Sequence, residues 1–193
     1  MKNLYILICM LCCFCSSFAQ DYYGQLVTNS HDTLNVQIRT KAIIENNKIV
    51  DLQEGVTAVS NNIVTEYTPK DLISFRVKIN NKNFYFESVD GVFFAQALYT
   101  TGKVKLYKTL QMFGNAMSRG LLRVYIIKKP GQVALSKMVA KGLSRLITKD
   151  ESLPPFEDCK AATEKLINDE VKIKDEQALI EFVKYYEDNC FSK

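Results

Sequence analysis

From Gln20 to Lys129 the chain divides into short runs of alternating apolar and polar residues, each ended by asparagine, aspartate or glycine. Leu34, Val36 and Ile38 alternate with Asn35, Gln37 and Arg39, which sets one face of an extended segment against a core and the other against water. "YYGQLVT" and "TLNVQIR" flank the polar "NSHD" as the two arms of a hairpin. Leu72–Ile79 and Asn83–Val89 flank "NNK", whose asparagines tolerate the positive φ of a tight turn. Further strands are expected at Lys48–Asp51, Val56–Val59, Ile63–Tyr67, Val92–Tyr99, Lys103–Leu110 and "LLRVYIIKK". The glycine-flanked "QMFGNAMSRG" reads as a mobile loop. About eight to ten short strands joined by tight turns predict an antiparallel sandwich or a barrel-like sheet.

From Ser136 the apolar period changes. Val139, Leu143, Leu146 and Ile147 recur at helical spacing, and Lys137, Lys141, Arg145 and Lys149 step by four along the opposite face. "SLPP" interrupts this segment, and its prolines open the next helix. Phe156, Cys159, Thr163, Leu166 and Ile167 share a face of that helix, and Leu179, Phe182, Val183, Tyr186 and Cys190 share a face of the last one. The short link "EVKIKD" makes the two antiparallel. The fold class is therefore α+β, with a β-rich domain over 20–135 and a helical C-terminal unit over 136–193.

The first nineteen residues read separately. Lys2, an apolar run from Leu4 to Cys15 and the exit Ser17-Phe18-Ala19 have the architecture of a cleaved signal peptide. The run is too short to span a bilayer as a helix, and no later segment is long and apolar enough to do so. Cys9, Cys12, Cys13 and Cys15 serve there as small hydrophobes rather than metal ligands. A mature chain starting at Gln20, periplasmic or secreted, keeps only Cys159 and Cys190. In an oxidising compartment this pair is expected to form a disulfide. They sit near the start of one helix and at the end of its antiparallel neighbour, both on the apolar stripe.

Hydrophobic residues make up 47% of the chain and charged ones 24%, as in an ordinary folded domain, so disorder is not the expectation. Charge is segregated. Residues 20–90 carry seven basic and nine acidic side chains, 91–149 carry eleven basic and none acidic, and 150–193 carry six basic and twelve acidic. The strip Lys137, Lys141, Arg145 and Lys149 is a candidate contact for an envelope protein or an anionic envelope polymer. Its competing role is to pair with the acidic helices. Nucleic acid is not an expected partner, because the net charge is small.

No motif for nucleophilic, metal-assisted or phosphate chemistry occurs. The one histidine, His31, lies in a turn beside Ser30 and Asp32, where neighbours in sequence cannot surround one reacting atom. Asp71, Glu87 and Asp90 are the acids a carboxylate-dependent hydrolase would draw on. Asp71 and Asp90 sit at ordinary turn positions. No catalytic, cofactor or metal residue is assigned.

The strand-turn-"DT" opening "GQLVTNSHDTLNVQI", the element "YTPKDLISFRV", the strand "TGKVKLY" and the cysteine-bearing helical pair resemble hypothetical secreted proteins of Bacteroidetes. The resemblance implies export and this fold class, and it brings no catalytic residue with it. The expected function is that of an exported, non-enzymatic binding or structural module of the envelope. A periplasmic inhibitor or immunity-type protein and an envelope hydrolase are the alternatives.

Overall fold

The structure, a computed structural model, describes residues 20–42, 45–115, 118–132, 136–140 and 147–191. The signal-peptide reading therefore falls outside the described residues, as do Lys141 and Arg145. Within them the chain forms ten strands: β1 (Gln20–Thr28), β2 (Thr33–Thr40), β3 (Val56–Ser60), β4 (Ile63–Tyr67), β5 (Leu72–Ile79), β6 (Lys82–Val89), β7 (Phe93–Tyr99), β8 (Lys105–Asn115), β9 (Ser118–Lys128) and β10 (Ser136–Ala140). Four helices accompany them: α1 (Glu45–Glu54), α2 (Lys149–Ser152), α3 (Lys160–Ile167) and α4 (Glu176–Cys190).

All pairings are antiparallel, in the order β10-β9-β8-β7-β6-β5-β1-β2-β3-β4. This is one open antiparallel sheet, where a sandwich or a barrel-like sheet was expected. Two meanders, β1–β4 and β5–β10, are joined by the pairing of β1 with β5. The link Thr68–Asp71 must return the chain from the outer strand β4 to β5. Fully extended it reaches at most about 18 Å, against about 19 Å across four spacings of a flat sheet. The sheet therefore curls at this end without closing.

The asparagine turns form as their chemistry dictates. Asn61-Asn62 and Asn80-Asn81 hold φ between 50° and 63°, which asparagine tolerates better than bulkier residues. Inside the curl, Leu26, Ile38, Val56, Phe75, Val77 and Phe86 pack with Ile49 and Leu52 of α1. Phe75 stacks on Phe86 at 4.7 Å and meets Phe94 edge-on at 4.9 Å. The Lys48–Asp51 strand expected from sequence lies within α1. Ile49, Leu52 and Gln53 are buried at helical spacing, a period that a four-residue segment cannot reveal. Gln53 acts as a surrogate strand neighbour. Its Nε2 donates to the Leu110 carbonyl at 2.8 Å, and its Oε1 accepts from the Leu110 amide at 2.6 Å.

Two further expectations change. "QMFGNAMSRG" extends β8 and β9 into a long hairpin, with Gly114 opposite Arg119. The helix expected from Ser136 begins instead as β10, paired from Ser136↔Ile127 to Ala140↔Arg123. The sheet thus continues past residue 135. Met138 is buried and Val139 half-buried on opposite faces, so pairing with β9 overrides the local helical spacing.

The C-terminal helices pack on the far end of the same sheet. Leu106, Ile127 and Met138 share a core with Phe156, Leu166, Leu179, Phe182 and Tyr186. The two prolines open a 3-10 turn (Pro154–Phe156) ahead of α3. Ile167, expected on the buried face, is exposed. Asp175 caps α4 by accepting from the Ala178 amide at 2.8 Å. Cys159 immediately precedes α3 and Cys190 ends α4, with Cα atoms 6.0 Å apart and the sulfurs within bonding distance.

Candidate functional site

The basic segment largely serves the fold. Lys108 donates to Glu176 at 2.8 Å, and Lys129 to Asp158 at 2.8 Å. Lys103 reaches the Phe191 carbonyl at 2.8 Å, and Lys149 reaches that of Ile167. Glu187 of α4 accepts from the amides of Lys103 (2.8 Å) and Val104 (3.3 Å) and from the Tyr99 hydroxyl (3.1 Å). Burial and the Glu187 acceptor push the Tyr99 phenol upward from its ordinary pKa. Of the proposed strip, Lys137 is exposed on β10 and Lys149 lies at the start of α2. They stand on different elements, not along one helix.

The three sheet acids are also engaged. Asp71 accepts from the Thr68 hydroxyl and amide, both at 2.7 Å, and these bonds hold its carboxyl below the usual range. Glu87 accepts from Tyr107 at 2.8 Å and Lys105 at 3.4 Å. Burial, then this bond to Glu87, raises the Tyr107 phenol strongly. Asp90 pairs with Lys128. His31 is an exposed turn residue at φ +65°. Among the described residues no group of three or more histidine, cysteine or acidic side chains is placed to hold a metal, and no helix is long and apolar enough to cross a membrane.

A different set of residues comes together on the outward face of the curled sheet. β5 buries Phe75, Val77 and Ile79 and turns Arg76 and Lys78 outward. Strand register places Asn35 of β2 opposite Gln25 of β1, Gln25 opposite Arg76, and Arg76 opposite Tyr85 of β6. These four form one row across four strands. One pleat along, Tyr23 lies opposite Gln37 and Lys78 opposite Asn83. The Gln25 amide donates to Asn35 at 3.2 Å, which ties the row together at one end.

Two grooves meet at Arg76. The first, about 710 Å³, runs over Tyr23, Gln37, Lys78 and Asn83 to the Asn61-Asn62 turn. The second, about 580 Å³, lies between Gln25, Ser74 and Tyr85 on the sheet and Gln177, Ile180 and Lys184 on α4. Such volumes suit small or extended polar ligands. Tyr23 is 80% exposed and Tyr85 51%, so both rings stand clear of the core. Neither Arg76 nor Lys78 makes an ion pair among the described residues. The first groove contains no carboxylate. Gly24 lies in its floor, where a Cβ would sit 2.4 Å from Ile38 Cδ1, so close strand packing fixes that part of the surface.

Sequence reading missed this constellation because its members lie at 23–25, 35–37, 76–78 and 83–85, and only the β1–β5 pairing unites them. The available signal was the alternation "FRVK", which turns two cations to the solvent side of a strand whose apolar side is buried. In comparisons with known proteins, no family model, curated protein or solved structure matches the chain.

Proposed function

We propose that this chain is an exported, non-enzymatic binding module of the cell envelope, and that the outward face around Arg76 is its binding surface. The observation that carries the reading is the row Asn35-Gln25-Arg76-Tyr85, whose guanidinium makes no ion pair among the described residues and lies where two grooves meet. Paired strands hold the backbone positions of these polar and aromatic side chains at fixed spacing, which lowers the entropy lost on binding relative to a loop. The signal-peptide architecture of Lys2–Ala19, the cysteine pair and the resemblance to exported Bacteroidetes proteins support the location. The Gln20 side chain accepts from the buried Lys48 ammonium at 2.7 Å.

Fractionation of native cells after cross-linking tests this. Wild-type protein should carry a mass that starts at Gln20 and be retained in the envelope. The Arg76→Glu/Lys78→Glu double variant should be released while keeping its thermal stability. Equal retention of the folded double variant would overturn the assignment of the surface. An intact Met1 would overturn export.

A further inference from the structure

We infer that the ligand of this face is an acidic polysaccharide, seated along the groove over Tyr23 and Lys78 with its carboxylates at Arg76 and Lys78. The inference rests on the binding-module reading above and names the chemistry of its partner. Three features of the groove converge on that class.

Charge comes first. Arg76 and Lys78 are successive outward residues of β5, about 7 Å apart along the strand, and no acid lines the groove with them. Two cations at that spacing match a repeating anion better than a single phosphate. They are too few for a nucleic-acid backbone, whose binding scales with the number of phosphates neutralised.

Amides come second. Asn35, Gln37, Asn61, Asn62 and Asn83 line the groove, and each carboxamide offers both donors and an acceptor. Hydroxyl groups, which donate and accept, are their natural complement. An acidic peptide would bring main-chain groups that need a free strand edge. Here β1, β5 and β6 are paired on both sides, so this face presents side chains only.

Aromatic rings come third. Tyr23 and Tyr85 flank the cations and are largely bare to solvent. A flat ring of this kind can cover the C–H face of a sugar and regain burial while its hydroxyl stays in water. A polymer of acidic sugars satisfies all three features together.

Titration calorimetry with three probes tests the inference: polygalacturonate, its methyl ester (hydroxyls without charge) and polyglutamate (charge without hydroxyls). Polygalacturonate should bind, and the two controls should bind at least about fivefold more weakly. Arg76→Ala/Lys78→Ala should weaken polygalacturonate by about five- to tenfold and flatten the salt dependence. Tyr23→Ala, at a site too exposed to disturb folding, should weaken it by about fivefold with the salt dependence unchanged. Equal binding of polyglutamate, or an unaffected Tyr23→Ala, would reduce the surface to a simple cation exchanger and overturn the proposal. Absence of polygalacturonate binding, with envelope retention still dependent on Arg76 and Lys78, would overturn the ligand class and leave the binding-module reading standing.

Discussion

Replacing Cys159 and Cys190 together by alanine should cost the protein a large share of its stability. The two residues are 31 positions apart. In the chain-entropy model a closed loop of that length removes about 12 cal/mol/K from the unfolded ensemble, or about 3.7 kcal/mol at 25 °C. The loop takes in all of α3 and α4. With eight residues, α3 is too short to be helical alone, so it depends on the seam it shares with α4. That seam is well packed: Phe156 meets Phe182 and Tyr186 edge-on at 4.8 and 4.9 Å. The folded contacts should therefore survive the substitution, with the loss residing mainly in the freed unfolded chain. For a domain of this size the expected fall in Tm is roughly 7–15 °C. Urea unfolding followed by circular dichroism should show the same loss in the wild type after reduction. Two free thiols in peptide maps of protein from its native compartment, or an unchanged midpoint in the double variant, would refute the bridge.

Asp158→Ala should destabilise by about 2–3 kcal/mol, below the figure for a fully buried pair because the Asp158 side chain is 43% exposed. The cost comes from Lys129, only 4% exposed, left charged without its partner, and from the Tyr186 hydroxyl that donates to Asp158 at 2.7 Å. Burial raises the Asp158 pKa, but the bonds from Lys129 and Tyr186 outweigh it and hold the carboxyl below the usual aspartate range. Its stabilisation is accordingly full above about pH 4 and is lost as pH falls through the folded value. Chemical denaturation of wild type and Asp158→Asn should converge in strong acid; a gap independent of pH would contradict this. Gln53→Ala should cost about 2–4 kcal/mol by leaving the Leu110 amide and carbonyl unpaired in the core. Gln53→Glu should cost a similar amount, since a carboxylate has no donor for that carbonyl, and a change under about 0.5 kcal/mol in either would show the contact to be dispensable.

What the sequence disclosed followed the range of its signals. Alternation in Leu34–Ile38 and the asparagine turns are local, and they located most strands correctly. The helical stripe through Leu179, Phe182, Val183 and Tyr186 is also local, and those four residues are buried as expected. Errors arose where tertiary pairing decided between two local options. Ser136–Ala140 carries a helical spacing yet completes the sheet edge beside β9, and Lys48–Asp51 reads as a strand yet fills the curl as part of α1. The joining of β5 to β1 rather than β4 has no local signature. That pairing joins the two meanders into one curled sheet, in place of the expected sandwich or barrel-like sheet, and creates the row through Arg76.

Charge segregation shows why the most conspicuous feature of a sequence can be the wrong guide to its surface. The acid-free segment 91–149 and the acid-rich end 150–193 would repel their own kind if left apart. Docking the helices on β7–β9 brings Lys108 to Glu176, Lys129 to Asp158 and the Lys103–Val104 amides to Glu187. Much of the patterning is thereby consumed as positional code for the helices, with pairs on the sheet and the helical unit recognising each other. Arg76 and Lys78 come from the segment with slightly more acid than base, where nothing in composition draws notice. They nevertheless make no ion pair among the described residues. A side chain that costs entropy to hold and gives no ion pair in return gains most from a partner that arrives from outside.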